Sequence, residues 1–96
     1  MIEYLYSAIR ATAGADETIA ALVSDNAGQP ITAGIHLVLH YGDNAMLTID
    51  GNYNAESEVW EFPLSADFTK DLKGRCWYCF KHYGEQLCFK QPIYFV

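Results

Sequence analysis

Along most of this chain apolar residues recur at every second position. Ile35, Leu37, Leu39 and Tyr41 alternate with His36, Val38 and His40, the period of a strand that buries one face. Trp60, Phe62 and Leu64 repeat the pattern, with Pro63 near the strand's end, where a missing N–H costs least. Further strands are expected over Ile2–Ile9, Glu17–Val23 and Ala45–Asp50. Alanines between residues 8 and 23 invite a helix, and a short one capped by Asp16 is the competing reading. Gly14 and the β-branched Thr12, Thr18, Ile19 and Val23 favour strands there. Ser24–Pro30, Gly42–Asn44 and Gly51–Asn54 are clusters of turn formers. Asp67–Leu72 has the spacing of a helical turn. Short strands punctuated in this way predict an all-β fold, an immunoglobulin-like antiparallel β-sandwich of about seven strands.

The last third reads as a hairpin. Gly74–His82 runs into Tyr83-Gly84, and Glu85–Lys90 runs back. A turn centred on Tyr83-Gly84 opposes Phe80 to Leu87, Tyr78 to Phe89 and Cys79 to Cys88. Tyr78, Phe80, Leu87 and Phe89 then share the core face. Arg75, Trp77, Cys79 and Lys81 point outward, joined by Cys88 and Lys90. Pro92–Val96 continues the second strand to the end.

This register disposes of the most obvious chemistry. Cys76, Cys79, His82 and Cys88 are potential zinc ligands, but alternation divides them between two faces, whereas zinc requires convergence at about 2.0–2.3 Å. A dithiol redox site requires a helix N-terminus to depress a thiolate, and no helix is expected there. Cys79 and Cys88, directly opposed, lie within reach of a cross-strand disulfide. His36 and His40 share a face about 13 Å apart, too far for one site, and are expected among exposed polar residues. Glu58 and Glu61 fall on opposite faces, and no nucleophile motif frames a serine. No catalytic residue, metal or cofactor is expected. The candidate interaction surface is Arg75, Trp77, Lys81 and Lys90, a tryptophan bracketed by cations on an outward face.

With 96 residues, 51% of them apolar, the chain makes one domain, residues 1–96, with a core of its own. Its net charge of −6 argues against nucleic acid as partner. Residues 1–69 hold Arg10 as their sole Lys or Arg and carry a net −9, while residues 70–96 carry +3. An acidic body with a basic C-terminal third points to complementary pairing within the fold or between copies. The start, Met-Ile-Glu-Tyr-Leu-Tyr, lacks the basic and apolar regions of a signal peptide. No apolar run is long enough for a membrane span. Synthesis in a cytoplasm with reduced thiols is the expectation.

Pro30–His40, then Val59-Trp60-Glu61-Phe62, then Leu72–Phe80 follow one another in an order that resembles the immunoglobulin-like N-terminal domain of phage upper baseplate proteins. The resemblance spans about residues 16–95, and the cysteines and Trp77 depart from the family's pattern. It implies a non-enzymatic phage or prophage structural module, located in a virion, that assembles with copies of itself or docks another virion protein. The alternative function is a carbohydrate- or other ligand-binding sandwich that uses exposed Trp and Tyr.

Overall fold

The computed structural model describes residues 2–5, 8–41, 44–88 and 90–96. Its strands are β1 (Glu3–Leu5), β2 (Ala8–Ala11), β3 (Glu17–Ala21), β4 (Ile35–Tyr41), β5 (Asn44–Asp50), β6 (Asn52–Asn54), β7 (Val59–Leu64), β8 (Gly74–His82), β9 (Glu85–Gln86) and β10 (Gln91–Phe95). One short helix, α1 (Ala66–Thr69), links β7 to β8. The strands form two sheets. The seven-stranded sheet runs β1-β2-β10-β8-β4-β5, with β9 paired to β8, and the three-stranded sheet runs β3-β7-β6. The chain is an all-β sandwich, as its alternation predicts.

Period-two burial is visible strand by strand. Ile35, Leu37 and Leu39 of β4 meet Trp60, Phe62 and Leu64 of β7, with Ile19, Cys76, Ile93 and Phe95 completing the core. Removing any one of these large apolar side chains costs about 2–5 kcal/mol, through lost burial and the cavity left behind. Trp60 buries its ring and donates Nε1–H to the Ile31 carbonyl at 2.7 Å, so its polar atom is satisfied. Pro63 lies beyond Val59–Glu61, the part of β7 that β6 pairs with, so its missing N–H breaks no ladder on that side. Gly51 joins β5 of one sheet to β6 of the other. A Cβ there would lie 2.6 Å from Phe62 and 2.7 Å from Trp60, so the crossing needs glycine for space.

Two expectations about the N-terminal strands change. The single strand foreseen over Ile2–Ile9 is two antiparallel strands, with Glu3 opposite Arg10 and Leu5 opposite Ala8. Tyr6 and Ser7, between them, lie outside the described residues. β2 then pairs with β10 in parallel, so the sandwich is not wholly antiparallel. Asp16 caps no helix of its own, because Glu17–Ala21 is a strand. Its Oδ1 accepts the N–H of Ala66, at the start of α1, at 2.7 Å.

The final hairpin keeps the expected register at first. Lys81 faces Gln86, His82 faces Glu85, and the Leu87 N–H donates to the Phe80 carbonyl at 2.9 Å. β9 then stops, and Tyr78 faces Gln91 of β10. The expected Tyr78–Phe89 pair is therefore replaced, and Phe89 lies outside the described residues. Relative to the hairpin register the partner of Tyr78 has moved by an even number of positions. Parity survives, and Ile93 and Phe95 still face the core.

Candidate functional site: the outward face of the large sheet

Residues between the core-facing positions of β4, β8 and β10 form the other face of the large sheet. On β8 these are Arg75, Trp77, Cys79 and Lys81, on β4 His36, Val38 and His40, and on β10 Tyr94. Cross-strand pairing sets Val38 beside Cys79, His40 beside Trp77 and His36 beside Lys81. Neither the small sheet nor the helix belongs to this side.

The parallel β2–β10 pairing adds two residues that sequence reasoning did not single out. Arg10 lies beside Tyr94, and Tyr94 lies beside Arg75. A row Arg10–Tyr94–Arg75 therefore crosses three strands. Arg75 places its guanidinium carbon 5.1 Å from the centroid of Trp77, a cation–π contact. Trp77 is half-buried, and part of its cover is this guanidinium. Arg10 and Arg75 are exposed, Tyr94 is 38% exposed, and Lys81 and Lys90 are half-buried. Of the candidate surface, Arg75, Trp77 and Lys81 share the face on β8. Lys90 lies just before β10, close enough to act electrostatically on His40 and Cys79.

A small buried patch lies within this face. Val38, Cys79 and His40 are 3%, 0% and 7% exposed, yet none belongs to the core cluster between the sheets. His40 was expected among exposed polar residues, and it is buried instead. Cys79, on the neighbouring strand β8, lies against its ring. His40 Nε2 lies 3.5 Å from Cys79 Sγ, and its Nδ1 has no hydrogen-bond partner among the described residues. Burial lowers the imidazole pKa from its ordinary value, and Lys90 and then Lys81 lower it further. Burial raises the Cys79 thiol, with Cys88 acting in the same direction against Lys81 and Lys90. Burial alone raises Cys76. Burial therefore favours the neutral form of both His40 and Cys79.

The expected opposition of Cys79 and Cys88 is not among the ladder pairs of the described residues: Cys88 is exposed in the break after β9, near enough to act electrostatically on Cys79, which is buried beside Val38 and His40. All three cysteines are free thiols. His36 Nδ1 lies 2.8 Å from Asp50 Oδ1, a contact in which the ring N–H donates to the carboxylate, separate from His40. Among the described residues, no three of His, Cys, Asp and Glu converge on a point that would hold a metal ion, and no helix is long and apolar enough to cross a membrane.

Carboxylates collect on the opposite side. Glu61 lies on β7 between the core-facing Trp60 and Phe62, so it points away from the core. Glu56 and Glu58 are exposed in the turn between β6 and β7. The molecule therefore presents cations and aromatic rings on the outer surface of one sheet and carboxylates on and beside the other. Compared with protein-family models, curated proteins and solved structures, the chain gives no match.

Proposed function

We propose that this chain is a small non-enzymatic structural or adaptor protein that acts through protein–protein contacts. The observation that carries the proposal is the outward face of the large sheet. Arg10, Tyr94, Arg75, Trp77 and Lys81 line it, on a protein whose net charge is −6. Tryptophan, tyrosine and arginine are the residue types that dominate interface energetics. Cys79 and His40 are 0% and 7% exposed, so this pair presents no reactive atom at the surface for a substrate to meet.

The partner that fits is an acidic protein surface, and another copy of this chain supplies one. Glu56, Glu58 and Glu61 lie on the far side of the sandwich from the cationic face, so copies can stack head to tail. Such a contact is heterologous and builds rings or filaments. The strand order supports the immunoglobulin-like reading. β3, β7 and β6 take the places of strands B, E and D, while β4, β5, β8 and β10 take those of C, C′, F and G. A phage or prophage particle is the proposed setting, on the sequence resemblance alone. Arg75 covers one face of Trp77, which disfavours the alternative in which a sugar stacks on that ring.

Light scattering over a range of protein concentrations at low salt tests the proposal. The expected result is mass that grows with concentration and falls with added salt. Arg75→Glu combined with Lys81→Glu should return the protein to monomer. A strict monomer at high concentration and low salt would overturn self-assembly.

A further inference from the structure

The sandwich is unfinished along one edge. β5 is the last strand of the large sheet and pairs with β4 on one side. Among the described residues no strand pairs with its other side, so every second N–H and C=O of β5 points away from the sheet. Its stretch Leu47–Asp50 contains neither Lys nor Pro, the residues that usually blunt such an edge.

Beside this edge the two sheets part. A groove of about 520 Å³ runs between Leu47–Ile49 of β5 and the Asp16–Thr18 and Pro63–Ser65 segments of the small sheet, with Phe68 at its end. It continues, through the shared Leu47 and Phe68, into an apolar slot of about 160 Å³ that reaches Leu39 and Leu72. Leu47, Phe68 and Leu72 are each partly buried, packed against the core on one side and open on the other.

We infer that this edge binds an extended peptide segment by strand addition. The segment's backbone would hydrogen-bond to β5, and alternate side chains would face the groove, an apolar one entering the slot. Charge selects another. Asp16 and Glu17 line the groove outside the slot and no Lys or Arg does, so the segment also carries a cation among its groove-facing positions. A second copy fits less well. β5 pairing with β5 would be isologous and would bring the two Asp16–Glu17 pairs to one interface. The surface and the partner chemistry differ from those of the cationic face, so either proposal can fail alone.

The probe is a synthetic peptide that sets valine and lysine in turn on its groove-facing side, with threonine at the positions between, added to isotope-labelled protein. Two further versions carry N-methyl groups on alternate amides in opposite phases. Amide shifts and slowed hydrogen exchange are expected over Leu47–Asp50. One N-methyl phase should weaken binding by about tenfold or more while the other leaves it nearly unchanged, since one phase alone removes ladder donors. The same peptide with glutamate in place of lysine should not bind, and the Arg75→Glu/Lys81→Glu protein should bind as the parent does. Equal binding of both N-methyl phases, or shifts centred on the Trp77 face, would overturn strand addition. Protection of Leu47–Asp50 that grows with protein concentration and no peptide would overturn the choice of occupant in favour of a second copy.

Discussion

His40 shows what alternation along a strand can and cannot tell. The period of two correctly sets it opposite Leu37 and Leu39. It does not show that the outward position is buried, because its neighbours there, Cys79 among them, come from distant parts of the sequence. The consequence is pH dependence. Burial, Lys90 and Lys81 all hold the folded imidazole below its ordinary value of 6.5. On acidification the unfolded chain takes up this proton first, and the folded protein follows at lower pH. Between those points the unfolded state binds more protons, so stability is full above 6.5 and declines as pH falls through the window. Denaturant titrations from neutral to mildly acidic pH should show a falling midpoint. His40→Leu, which also removes the unpartnered Nδ1, should flatten that decline. An unchanged slope in the variant would place the acid sensitivity elsewhere.

At the scale of elements, the hairpin was legible as far as local pairing governed it. Its turn and first ladder pairs follow from Tyr83-Gly84. The break after Gln86 does not, because β10 also pairs with β2, and that long-range parallel contact competes with continuation of the hairpin. The same competition explains why Arg75, Trp77 and Lys81 were found from sequence and Arg10 and Tyr94 were not. No local spacing brings residue 10 beside residue 94. Composition could have raised the question, since Arg10 is the sole Lys or Arg before residue 70. The crossing at Gly51 gives a prediction at this scale. Its missing side chain leaves room for Phe62 and Trp60, both core residues of β7. Gly51→Ala should therefore destabilise by about 1–3 kcal/mol through overpacking. Thermal melting would show this as a lowered midpoint. Gly28→Ala controls for space, since nothing lies within 4 Å of a Cβ there, although its positive φ adds a modest strain of its own. Equal losses at the two sites would mean that crowding at Gly51 is not the cause.

For the whole molecule, β10, last of the strands in chain order, is a central strand. β10 lies between β2 and β8 and joins the N-terminal hairpin to the rest of the large sheet. Its Ile93 and Phe95 are 0% and 1% exposed, so both belong to the core. The sandwich class was readable in advance, because alternation and turn spacing are local properties. The position of β10 was not, because strand order depends on which distant edges meet. Removing residues 91–96 therefore does more than trim an end. It strips two large side chains from the core, at about 2–5 kcal/mol each, and leaves β2 and β8 without their shared neighbour. A small domain holds only about 5–15 kcal/mol in total. A chain ending at Lys90 should lose dispersed amide signals and cooperative melting together. By the same reasoning Val96, exposed and beyond the strand, contributes mainly through its backbone, whose N–H donates to the Ala11 carbonyl and whose carbonyl accepts from Ala13, each at 2.9 Å. A chain ending at Phe95 should fold, with a melting point lowered by a few degrees, as the loss of about 1 kcal/mol implies. If the chain ending at Lys90 folded cooperatively, β10 would be an accessory strand, and the row Arg10–Tyr94–Arg75 would not be a fixed feature of the outward face.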